Sequence, residues 1–181
     1  MKKLLKTLPL LALCLLFTAS VGHAQGSATG PTTVSVTVGP EASLTVNSTT
    51  TLATTGTVFN NYTGTTTATY LIRTTQSGGS GSITLKVTTD FTPANGPSVT
   101  TPPTSGDKLA YTCGGAAPAT PCTGSQTAST SASTPVVTFG ADAHATSASG
   151  STATAAWTLT NDPVYKTGTY QATVTFTISA S

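Results

Sequence analysis

The sequence predicts an all-β fold, an immunoglobulin-like antiparallel β-sandwich of about seven to nine strands, and three observations carry that expectation. The terminal stretch sets Tyr170, Ala172, Val174, Phe176 and Ile178 against Thr169, Gln171, Thr173, Thr175 and Thr177. A period of two over so many residues marks a strand with one face in a core and one in solvent. Upstream, short runs of the same Val/Thr type recur between Gly, Pro and Asn turns, the pattern of a sandwich. Finally, nothing after residue 24 places apolar residues at helical spacing. Threonine is the commonest residue, and its branched Cβ suits a pleated surface better than a helix.

Taken in order, Thr32 to Val38 alternates Val34, Val36 and Val38 against hydroxyls and is stopped by Gly39-Pro40, which predicts a first strand. Ala42 to Val46 repeats the pattern with Leu44 and Val46. Thr49 to Asn60 carries Leu52, Val58 and Phe59 around Gly56, a bulge or bend, and Asn61-Tyr62-Thr63-Gly64 reads as a turn. Thr66 to Thr74, with Ala68, Tyr70 and Ile72 on one face, and Ile83 to Val87 flank a Gly/Ser loop and so predict a hairpin. The prolines at 93, 97, 102 and 103 make Thr92 to Gly106 a long loop. Lys108 to Cys113, Pro135 to Phe139 and Thr152 to Thr160 supply further strands, the last carrying Trp157 and Leu159. Trp157, Tyr170 and Phe176 are the expected large fillers of the core, with Val174 and Ile178 beside them on the terminal strand.

Residues 1–24 join Lys2, Lys3 and Lys6 to an apolar run and end in Gly22-His23-Ala24, the pattern of a Sec-type signal peptide. The expected organisation is therefore a signal peptide (1–24), a flexible Gly/Ser/Thr segment (25–31) and a single β-sandwich domain (32–181). The expected location is secreted or at a bacterial cell surface, with no membrane segment once the leader is removed. Without the leader the charge is four cations, Arg73, Lys86, Lys108 and Lys166, against five acids. No basic cluster exists to track phosphates, which excludes nucleic acid as a partner class. Cys113 and Cys122 are then the only thiols of an exported chain, and they are expected to form one disulfide around a Gly/Pro-rich loop.

No catalytic, metal or cofactor constellation is expected. His144 and Asp142 are two groups where zinc takes three or four. No Gly-x-Ser-x-Gly elbow occurs, and the five acids form no glycosidase-like pair. The tyrosines at 62, 111 and 165 would be needed for a sugar-stacking platform, but ordinary core or rim positions suit them better.

The closing residues Gly168-Thr-Tyr-x-x-Thr-Val-Thr-Phe-Thr-Ile178 resemble the last strand of bacterial pilin-like domains of the spore coat protein U and chaperone–usher type. The resemblance implies an incomplete immunoglobulin-like sandwich completed by an extended segment of a neighbour. Residues 25–38, with the Val34, Val36 and Val38 face, would be the donor, and a periplasmic chaperone a partner. The functional expectation is a surface structural subunit that self-associates or joins related subunits. The alternative is a monomeric module binding polysaccharide or cell wall.

Overall fold

The computed structural model describes residues 29–181. The expected signal peptide and residues 25–28 lie outside them. Ten strands follow one another: β1 (Glu41–Val46), β2 (Ala53–Thr54), β3 (Tyr62–Arg73), β4 (Gly81–Thr92), β5 (Leu109–Gly115), β6 (Thr120–Pro121), β7 (Ser125–Thr127), β8 (Thr134–Phe139), β9 (Ser151–Leu159) and β10 (Gln171–Ala180). No helix occurs among the described residues.

The strands form two antiparallel sheets, ordered β1-β3-β9-β5-β7 and β10-β4-β8-β6, with β2 on the same edge of β3 as β1. In the immunoglobulin scheme one sheet reads A-B-E-D and the other G-F-C. Here β1, β3, β9 and β5 give the first order, while β10 and β4 take the places of F and C. Beside β10, where G would lie, no strand is found among the described residues.

The inward residues of both sheets meet in one core, centred on Tyr70, Tyr111, Ile83, Leu85, Val87, Val136 and Val137, each almost fully buried. Tyr70 meets Phe139 edge-on, and Tyr111 packs against Trp157, both at 5.1 Å between ring centres. Both tyrosine hydroxyls have partners, and that of Tyr111 crosses to the other sheet. That of Tyr70 donates to Ala116 O at 2.8 Å, and that of Tyr111, on the first sheet, donates to Pro135 O at 2.8 Å on the second. Burial raises both phenol pKa values, as expected for groups that serve as neutral donors here.

Several expectations are corrected. The core's large fillers are Tyr70, Tyr111, Phe139 and Trp157, whereas Tyr170 and Phe176 are only half-buried. Period-two patterning assigns a face but not what covers it. β3 and β4 are not a hairpin: they belong to different sheets, and residues 74–80 carry the chain across the core. The link is long enough to arch, and both strands bury their apolar faces by facing each other. The residues read as a turn at 61–64 open β3 instead, Tyr62 pairing with Leu159 and Thr63 with Thr158. Gly64 serves close approach, since a Cβ there would lie 2.6 Å from Thr51 O and 2.7 Å from Leu52 Cδ2. The strand expected at 32–38 is not formed in the chain by itself. Those residues carry no regular secondary structure, because a ladder requires a partner strand.

Cys113 and Cys122 are bonded, as the sequence requires. Cys113 is on β5 in the first sheet, and Cys122 donates its N–H to Val136 O on β8 in the second, at 2.9 Å. The bridge therefore fastens the two sheets at the edge remote from β10. Replacing both cysteines by serine is expected to lower unfolding stability by roughly 2 to 3 kcal/mol, the loop-closure contribution of a short ring. Urea denaturation measures it, and a loss well below about 1 kcal/mol would mean that packing alone holds that edge.

Candidate functional site

The two long sides of the sandwich end differently. On one, the outermost strands are β7, of three residues, and β6, of two including Pro121, with the disulfide between the sheets. Short edges, proline and a crosslink are ordinary protections against further pairing. On the other side stands β10, ten residues long and paired only with β4. It carries no charge and no proline. Its outward Thr and Ser face is held by hydroxyl contacts to β4, Ser82 to Ser179 at 3.2 Å and Thr88 to Thr175 at 3.0 Å.

The inward face of β10, Ala172, Val174, Phe176, Ile178 and Ala180, packs on the core from one side and is only half-buried. Alongside Val174 and Phe176 runs a groove of about 850 Å³, whose opposite wall is Val46 to Leu52 and Tyr62, with Trp157 and Leu159 on its floor. The groove exists because the opposing edge is broken. Past Asn47, whose N–H still donates to Thr67 O at 3.1 Å, the chain leaves β3 and rejoins it only at Ala53. A file of threonines stabilises that detour: Thr50 Oγ1 lies 2.7 Å from Thr66 Oγ1, which accepts from Trp157 Nε1 at 2.7 Å. The lining is mixed: Val174, Phe176, Trp157 and Leu159 give it an apolar stripe, and Asn47, Thr50 and Gln171 add polar groups along it.

One end of the groove is built by two loops. Asp90, at the end of β4, organises the first. Its carboxylate accepts from the N–H groups of Phe91, Val99 and Thr100 at 2.8, 2.8 and 3.0 Å and from Ser98 Oγ at 2.8 Å. Burial alone would raise this carboxyl, but the bonds from Val99, Thr100, Ser98 and Phe91 prevail and hold its pKa at about 2. The second loop, 160–170, is strapped to the first. Lys166 N–H donates to Asn95 O at 3.1 Å, the Tyr170 hydroxyl donates to Lys166 O at 2.6 Å, and the Tyr170 ring lies on Gly96, where a Cβ would collide with it. The Tyr165 hydroxyl donates to Asp107 at 2.9 Å. Asp162 stays charged, held low by the Thr104 hydroxyl and the Val164 N–H, whereas burial and that neighbouring charge push Asp107 up.

The sequence-predicted residues divide clearly. Tyr170, Val174, Phe176 and Trp157 come together along the groove, and Ile178 packs further along the same face. Val34, Val36 and Val38 are 89, 84 and 61% exposed, large apolar side chains with no cover. Sequence reasoning missed Leu52, Tyr62 and Phe91 as groove lining; a broken edge strand has no signature in periodicity. Of the three tyrosines weighed as a sugar platform, Tyr62 and Tyr165 both line the groove, Tyr165 with its hydroxyl on Asp107, while Tyr111 lies in the core. His144 Nδ1 lies 2.7 Å from Asp142 O, and no group of three metal-ligating side chains occurs among the described residues. No family model, curated protein or solved structure matches the chain.

The Asp90 clamp has a signed pH dependence. A carboxylate whose folded pKa is depressed stabilises fully above its unfolded value, near 4, and that contribution is lost as pH falls toward about 2. Asp90→Ala is expected to cost about 1–3 kcal/mol at neutral pH by stranding the loop donors. It is also expected to flatten the stability profile between those pH values, read by denaturant melts. An unchanged acid limb would show that Asp90 does not hold the loop.

Proposed function

We propose that this chain is a secreted structural subunit of a bacterial surface appendage or coat, assembling when an extended segment of one copy pairs with the free edge of β10 in another. The observation that carries the reading is the half-buried inward face of β10 beside a groove in an otherwise complete core. A long, uncharged, unpaired edge is a template for strand addition. An added strand would gain main-chain hydrogen bonds along β10 and place alternate side chains in the groove.

The occupant the chain itself offers is Thr32 to Val38. Its three valines at successive even positions are the apolar face such a strand requires, and they are exposed in the chain alone. The spore coat protein U and chaperone–usher resemblance of the last strand supports the same reading, and with it a periplasmic chaperone that would protect the edge before assembly. The scarcity of charge suits it too, since 7% charged residues let copies pack side by side without strong repulsion.

The test is the mass of the secreted chain in solution across concentration, by size-exclusion chromatography with light scattering. Oligomers that resist dilution are expected, and deletion of residues 25–38 is expected to abolish them while leaving the β-sheet circular dichroism intact. Val36→Lys, which sets a charge on the apolar face, is expected to weaken association roughly ten- to hundred-fold, the equivalent of one valine's burial. A wild-type chain that stays monomeric at every concentration and in the presence of its periplasmic extract would overturn the proposal.

A further inference from the structure

Seven large apolar side chains are exposed among the described residues: Val34, Val36 and Val38 on the segment assigned above as donor, and Val58, Phe59, Val164 and Leu71 elsewhere. Val58, Phe59 and Val164 are not scattered. Val58 and Phe59 sit on the loop leading into β3, and Val164 on the loop leading into β10, and these loops touch: Asn161 Nδ2 donates to Asn60 O at 3.0 Å. Phe59 and Tyr165 both line the groove, so the two loops flank its mouth. Phe59 also has a φ of 57°, left-handed backbone that a bulky residue rarely adopts. The loop holds an aromatic side chain outward, 57% exposed, at a conformational cost that its own fold does not repay in burial.

Leu71 lies at the opposite end of the sandwich. There β1 begins, with Glu41 opposite Arg73, and β10 ends, with Ala180 opposite Gly81; Thr75 N–H donates to Ser181 O at 3.0 Å, which places both sheet ends together. Arg73 fixes the chain's entry at this end, donating from Nε to Gly39 O at 2.7 Å and pairing with Glu41 at 2.8 Å. Pro40, at this entry, is exposed, and Leu71 is two residues from Arg73 on β3, opposite Ser43.

Given the donor reading, on which this rests, the two ends are brought together. The groove follows β10 from Gln171 to Phe176. A donor added antiparallel to β10, as every pair in both sheets is, would set its C-terminal end beside Gln171, at the mouth, where it remains joined to its own sandwich. Val38 is three residues from Glu41, a reach of about 10 Å. The donor's body therefore stands directly at the mouth of the acceptor.

We propose that Val58, Phe59 and Val164 form a second contact surface, docking on the Pro40 and Leu71 end of the copy that supplies the donor strand. The surface sets the angle between successive subunits and adds to the strength of each junction. Burying such a patch between copies is also the ordinary explanation for large apolar groups left together on a surface.

The test uses the full secreted chain. Val164→Lys, at an exposed position outside the groove lining, is expected to leave the melting temperature of the monomer unchanged, yet to raise the concentration needed for assembly about tenfold or more. Val58→Lys and Leu71→Glu, neither of which lines the groove, are expected to weaken assembly singly and to restore it when combined, as only a direct contact does. If deletion of residues 25–38 abolishes assembly while all three substitutions leave it unaltered, the docking surface is overturned and the donor reading stands. If the deleted chain assembles like the full one, the donor reading is overturned and the docking surface with it.

Discussion

The inward face of β10 packs on the core from one side and stays half-buried beside the groove. Elsewhere the buried side-chain polar atoms of the described residues are satisfied, the Tyr111 hydroxyl reaches across the core, and the far side is closed by short strands and the Cys113–Cys122 bridge. The contrast between the two sides is the physical content of the functional reading. One side is fastened by a disulfide, and on the other a ten-residue strand pairs with β4 alone, an edge of the kind that strand addition uses.

The composition fits this arrangement. With few ions available, cohesion between strands comes from hydroxyl pairs such as Ser82 with Ser179 and Thr88 with Thr175, which tie β10 to β4 along its solvent face. These contacts leave the backbone edge of β10 untouched. The same economy appears at the groove, where Thr50, Thr66 and Trp157 form a short hydrogen-bonded file that supports the interrupted edge opposite. The Asp90 clamp shapes the mouth from outside the groove, whereas Tyr170 both straps the two loops together and lines the groove.

Much of the fold was legible because alternation fixes which face of a strand is buried. β1, β3, β4, β8, β9 and β10 all follow from it, as does the disulfide from cysteine count. What alternation does not carry is pairing. Nothing in the Ser77 to Ser82 loop distinguishes a hairpin from an arch between sheets; that choice is made by the core, which both strands complete only from opposite sides. β6 and β7, two and three residues long, are below the length at which a period shows. The valines at 34, 36 and 38 were readable as a strand face and Tyr170, Val174 and Phe176 as another, but the groove between β10 and the broken edge arises from the detour at residues 48–52, a register event without a local signal.

The most direct measurement of the central claim is amide hydrogen exchange across residues 32–38 and 171–180, compared between dilute and concentrated protein. Strand addition requires that both segments gain protection together as the chain associates, the free-edge amides of β10 slowing in step with the valine segment. Association without that paired gain, or protection confined to another surface, would contradict it.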